Sequence, residues 1–125
     1  MIVSGATGTG KTHFVLKLID NINTIIEPTP KHIIYYFMED QPIFRDYPEV
    51  DFRHGTPSQS DVADLHDMIV IFDYQMMEAD LKMLHVFTRA SHHRQTAWCL
   101  SFRIFFNTNK HMRTISLNGQ YLVFF

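Results

Sequence analysis

The sequence predicts an α/β domain with a mainly parallel sheet flanked by helices, and three observations predict it. A short apolar run, Ile2-Val3, enters a glycine-rich loop that opens into residues at helical spacing. Two apolar stretches, Ile33-Ile34-Tyr35-Tyr36-Phe37 and Met68-Ile69-Val70-Ile71-Phe72, run on without the polar alternation of a strand that has one wet face. Strand-like and helix-like segments also alternate along the chain, as parallel sheets with crossover helices require.

Taken in order, Ile2-Val3 reads as the end of a buried strand. From Lys11 to about Ile22, apolar residues fall at Phe14, Val15, Leu18, Ile19 and Ile22, which is helical periodicity. Glu27-Pro28-Thr29-Pro30 breaks the pattern. The β-branched and aromatic run from Ile33 to Phe37 is a second strand. Pro42 and Pro48 punctuate the loop behind it, and Val50-Asp51-Phe52 is a short third strand. Gly55 to Ser60 is loop. Met68 to Phe72, closed by Asp73, is a strand buried on both faces. Leu81, Leu84, Val86 and Phe87 place a helix over Ala79 to about Ser91. Ala97 to Phe102 and Tyr121 to Phe125 are two more strands, the last preceded by an Asn118-Gly119 turn.

A chain of 125 residues fits one domain, residues 1–125, and 46% hydrophobic content is enough for a packed core. The net charge of −2 offers no global attraction to nucleic acid or an anionic membrane. Cys99 is the single cysteine, so no intrachain disulfide forms. No secretory leader and no apolar run of membrane-spanning length is visible, which predicts no membrane association and no secretion. The first strand starts at the very beginning of the chain, and the length is short for the fold class, so we expect a domain trimmed at both ends.

Chemistry concentrates at Gly5-Ala6-Thr7-Gly8-Thr9-Gly10-Lys11-Thr12, which meets the phosphate-loop pattern G-x-x-x-x-G-K-[ST]. Glycines allow positive φ and close backbone approach, so the loop's N–H groups can turn inward as an anion nest. The helix behind adds its positive end. Lys11 reaches the β- and γ-phosphates of a nucleoside triphosphate, and the Thr12 hydroxyl ligates Mg²⁺. A chance match in a chain this long has a probability of roughly 0.5% at average residue usage. A glycine turn in front of a helix is the plain structural alternative.

Asp73 closes an apolar strand, the position from which an aspartate holds Mg²⁺ beside the loop threonine. The plain alternative is a strand-end aspartate that starts a turn. Triphosphate hydrolases of this class place a second carboxylate directly afterwards, as general base. Here that position is Tyr74, a phenol with an ordinary pKa of about 10 and a poor base at neutral pH. Glu78, the next carboxylate, lies further along the chain. Nucleotide binding is therefore expected, and hydrolysis is the weaker expectation.

With these residues in view, the sequence resembles the DNA-packaging ATPases of large eukaryotic DNA viruses and of Maverick/Polinton elements. The segments that carry the resemblance span nearly the whole chain. They are Ile2 to Thr12, Gln41-Pro42, Ile69 to Asp73, Ser91-His92-His93-Arg94, and Met112-Arg113-Thr114-Ile115-Ser116-Leu117-Asn118 with Tyr121-Leu122-Val123. The resemblance implies a RecA-like core that binds ATP and Mg²⁺, forms a homo-oligomeric ring and pumps double-stranded DNA into capsids. It implies a nuclear, cytoplasmic or virion-associated protein. It also implies an arginine that reaches the neighbouring subunit's γ-phosphate. Arg94 is the candidate, with Arg89 and Arg113 as rivals; the plain reading of Arg94 is a helix-end cation. The eight histidines show no metal-ligand spacing.

The chain departs from the family pattern at three places. The family has Asp-Asp where this chain has Asp73-Tyr74, a change that one base (GAT to TAT) produces. The family has Gln-Asn-Leu-Phe, a γ-phosphate sensor, where this chain has Phe102-Arg103-Ile104-Phe105-Phe106. Codons TTC-AGA-ATC-TTT-TTC for that stretch, read two bases later, give Gln-Asn-Leu-Phe. We therefore expect residues 97–106 to be translated out of the ancestral frame, which the nucleotide sequence tests. The chain also stops at Phe125, where the family strand continues. Three functions follow from these features. The first is an active DNA-translocating ATPase, and the second a catalytically impaired nucleotide-binding remnant of one. The third is a nucleotide or small-molecule kinase, which the lack of an arginine-rich lid between Asp73 and Arg113 disfavours.

Overall fold

Strand-forming residues gather into one six-stranded sheet in which every pairing is parallel. The structure, a computed structural model, describes residues 1–6, 8–58, 60, 68–74, 96–102 and 122–125. The strands are β1 (Ile2–Ser4), β2 (His32–Phe37), β3 (Asp51–His54), β4 (Met68–Tyr74), β5 (Thr96–Phe102) and β6 (Leu122–Phe124). Their spatial order is β3-β2-β4-β5-β1-β6. The first strand is thus inserted between the two that come last in the chain. Each strand expected from the sequence is present, with ends shifted by a residue or two. The expected helix at 79–91 lies outside the described residues.

Helix α1 spans Lys11–Asp20 and a single further turn, α2, spans Ile22–Ile25. The apolar pattern suggests one helix to Ile22. Instead the chain breaks at Asn21, whose side-chain amide donates to the Lys17 carbonyl at 2.8 Å and whose own carbonyl accepts from the Thr24 hydroxyl. Such local side-chain bonds offer the backbone an alternative to a continuous helix. Pro42 was expected only to interrupt a loop, but it opens a short 3₁₀ helix, Pro42–Asp46. Proline has no N–H to lose at the start of a helix, and its φ is already suitable.

One face of the sheet builds a core with the helices described. Val3, Ile33, Tyr35, Ile69 and Ile71 pack with Val15, Leu16 and Ile19 of α1, with Phe44 of the 3₁₀ helix and with Val50. Leu16, off the stripe first drawn from the sequence, is among the most buried residues. Alternate residues of the same strands, Ile34, Tyr36, Val70 and Phe72, are buried too. That accounts for the unbroken apolar runs: side chains alternate across a strand, so burial on both faces requires apolar residues at every position. Fully burying each such side chain contributes about 1.5–3 kcal/mol.

Parallel pairing has one functional consequence. All described strands end at the same edge of the sheet, so the carboxyl ends of β2 and β4 lie side by side there and that of β1 lies one strand further on. In open parallel sheets that edge, where strand order reverses, is where ligands bind.

Candidate functional site

Two residues of α1 face this edge because of where they sit on the helix. Lys11 lies four residues before Val15 and eight before Ile19, on the buried stripe. Thr12 likewise precedes Leu16 by four. Helical residues four apart share a face. The stripe that anchors α1 therefore carries Lys11 and Thr12 one turn beyond the hydrophobic contact, under the glycine loop.

Lys11 is 6% exposed, and its ammonium donates to the Ala6 carbonyl at 2.6 Å, across the loop. Thr9 closes the same loop by donating its hydroxyl to that carbonyl at 2.7 Å. Gly8 and Gly10 have φ of 78° and 91°, the left-handed region in which a side chain is strained. Gly10 caps α1, and no acidic side chain lies in the first turn. The first intrahelical bond there runs from the Phe14 N–H to the Gly10 carbonyl at 2.9 Å. The amides of Thr12 and His13 come before it, with no acceptor inside the helix. A buried lysine sits at this positive helix end, where the dipole favours an anion.

Gly5 serves for a different reason. A Cβ there would lie 2.8 Å from the Phe125 Cβ and 2.9 Å from its carbonyl oxygen. The end of β6 passes this close because the Phe125 N–H donates to the Ser4 carbonyl at 2.8 Å, extending the β1–β6 ladder. Thr7 lies outside the described residues.

Asp73 reaches the loop from β4. Its register partners are Phe37 on β2 and Ser101 on β5. One strand, β5, separates β4 from β1, so the two lie about 10 Å apart. Thr12 spans that gap by donating its hydroxyl to Asp73 Oδ2 at 3.1 Å. The Tyr35 hydroxyl donates to the same oxygen at 2.8 Å. Gln41, between β2 and the 3₁₀ helix, brings its amide nitrogen to 3.5 Å from Thr12 Oγ1. Sequence reasoning singled out Thr12 and Asp73 and missed Tyr35, which it assigned to the core. No sequence signal marks it, because the pairing of Tyr35 with Ile71, on the face of β4 that carries Asp73, exists only in the folded register.

The oxygen donors, a hydroxyl and a carboxylate, suit a hard cation such as Mg²⁺, which takes one or two protein carboxylates and keeps several waters. Among the described residues no group of three or more His, Cys, Asp or Glu converges. No described helix is long and apolar enough to cross a membrane. Of the other candidates, Arg94, Arg89, Arg113, Glu78 and the segment Arg103 to Phe106 lie outside the described residues. Tyr74 is the last residue of β4, paired with Phe102, the last of β5. No protein-family model matches the chain, and no curated protein is similar enough to count as a relative.

Proposed function

We propose that the chain binds a nucleoside triphosphate with Mg²⁺ at this edge, as a P-loop protein with a RecA-like sheet. The observation that carries the reading is the Thr12–Asp73 hydrogen bond, which joins residues 61 apart in sequence. It sits where a phosphate-loop hydroxyl and a strand-end carboxylate would share a metal. The strand order supports the same reading, because β5 separates the loop-bearing strand from the aspartate-bearing one. Gly5, Ala6, Gly8, Thr9 and Gly10 would supply the main-chain cradle, and Lys11 would exchange the Ala6 carbonyl for phosphate oxygens. Thr12 and Asp73 would hold Mg²⁺, which when bound neutralises charge on the β- and γ-phosphates.

A titration with ATP and Mg²⁺ tests this. Lys11→Ala removes a buried, charge-assisted donor, and affinity should fall by about 3 kcal/mol, on the order of 100-fold. Equal affinity for the two chains ends the reading.

A second reading is favoured by Tyr74. A phenol, Tyr74, fills the position beside Asp73 where a general-base carboxylate would stand, and we infer an impaired hydrolase that retains binding. DNA translocation through a homo-oligomeric ring, with Arg94 serving the neighbouring subunit, is the wider role the family resemblance suggests. Stimulation of ATP turnover by double-stranded DNA, lost in Arg94→Ala, is its signature.

A further inference from the structure

We propose that Tyr35 is a positioning residue for Asp73, fixing the carboxylate through which the site engages Mg²⁺; the inference rests on the nucleotide-binding reading above. The Tyr35 side chain is buried, with 0% of the residue exposed, and its hydroxyl lies 2.8 Å from Asp73 Oδ2. Tyr35 pairs with Ile71, and Asp73 stands two residues further along β4 on the same face. A tyrosine ring spans that diagonal, whereas a shorter polar side chain would not.

The ring is itself held. Its centroid is 5.2 Å from that of Phe44 and 5.2 Å from that of Phe52, and those two stack on each other at 4.4 Å. The hydroxyl therefore has little freedom to leave Asp73. Both hydrogen bonds to the carboxylate, from Tyr35 and from Thr12, fall on Oδ2. Among the described residues Oδ1 accepts none. One oxygen is thus anchored by β2 and α1 together, while the other is left for water or a metal's hydration shell. Partners of this kind, hydrogen-bonded to a ligating carboxylate, orient it, and their loss costs about 10- to 100-fold in metal affinity.

A purely structural tyrosine, whose hydroxyl merely needs a buried acceptor, predicts a different result, so the test reads the metal rather than the fold. Mg²⁺ is titrated into the full chain with a fluorescent ATP analogue, for wild type and Tyr35→Phe, with a parallel arm in EDTA. The half-saturating Mg²⁺ concentration should rise about tenfold in Tyr35→Phe. Metal-free nucleotide affinity should not change. In an Asp73→Asn background, Tyr35→Phe should add no further loss, since its effect passes through the carboxylate. Superposable Mg²⁺ curves for wild type and Tyr35→Phe overturn the inference, as does an equal loss in EDTA. Wild-type nucleotide binding that ignores Mg²⁺ overturns the metal assignment and this inference with it. Failure of wild type to bind nucleotide at all defeats the underlying reading. Thermal unfolding checks that Tyr35→Phe folds. Should it not, Phe52→Leu loosens the grip on the ring and keeps the hydroxyl. A smaller loss in the same direction then supports the role, and wild-type Mg²⁺ dependence overturns it.

Discussion

Two carboxylates of this molecule invite comparison: Asp73 at the carboxyl edge of the sheet and Asp51 at the start of the outermost strand, β3. By distance alone Asp51 looks the more strongly held. Arg53 donates to its Oδ2 from two nitrogens, at 2.6 and 2.9 Å, against 2.8 and 3.1 Å for the donors to Asp73. The surroundings reverse that impression. Arg53 and Asp51 are 38% and 52% exposed and two residues apart. Asp73 is bonded to residues 38 and 61 positions away, one of them a fully buried tyrosine. The first pair is local and wet. The second cluster ties β2, β4 and α1 together at the point where the glycine loop opens. What separates a candidate reaction centre from a surface ornament is the number of distant elements that converge and the burial of their polar groups, and bond length says little about either.

The strongest way to sharpen that contrast is to add a carboxylate beside Asp73. Tyr74→Asp places one at the general-base position, and if only the base is missing, ATP turnover should rise by about 10²- to 10⁴-fold. A single-turnover assay with Mg²⁺ and ATP measures it. No gain would move the defect to the stretch from Phe102 to Phe106.

The glycines of the loop give smaller effects with separable causes. Gly5→Ala drives a methyl group into the Phe125 main chain at under 3 Å, which should cost about 2 kcal/mol as overpacking. Among the described residues a Cβ at Gly10 meets no atom within 4 Å, so the expected cost of Gly10→Ala is conformational, about 1 kcal/mol for a left-handed residue. Urea unfolding of the two variants distinguishes them. If Gly10→Ala proves the more costly, the φ of this cap is not the sole reason glycine is there.

How far the sequence carried these inferences differs between fold and site. The strands were legible because parallel strands buried on both faces leave unbroken apolar runs, as at Ile33 to Phe37 and Met68 to Phe72. The meeting of Thr12 and Asp73 was legible to the extent that a glycine-loop pattern fixes residue types at fixed spacing and that Asp73 ends an apolar strand. Tyr35 was not legible. In sequence it is one aromatic residue in an aromatic run, and its hydroxyl acquires a role only when β2 lies against β4 in one register. The 3₁₀ helix at Pro42 was hidden by the double meaning of proline, which ends one element and begins another. The break at Asn21 was hidden by the apolar Ile22 behind it, which prolongs the helical period although the side chain of Asn21 caps it.

The smallest effect belongs to the other half of the comparison. Arg53→Ala removes both hydrogen bonds to Asp51, a further one at 3.4 Å to the Tyr36 hydroxyl and a cation–π approach of 6.0 Å to the Tyr36 ring. An exposed pair gains little Coulomb energy in water and loses side-chain entropy to hold its geometry. The expected destabilisation is below about 1 kcal/mol, and it should shrink further in high salt, where exposed charges are screened. Urea unfolding at two ionic strengths measures both. Nucleotide affinity should be unchanged, because β3 is separated from the loop-bearing β1 by three strands. A loss of several kcal/mol, or any change in nucleotide binding, would mean that β3 governs the site from the edge of the sheet, and the division between the two regions would fall.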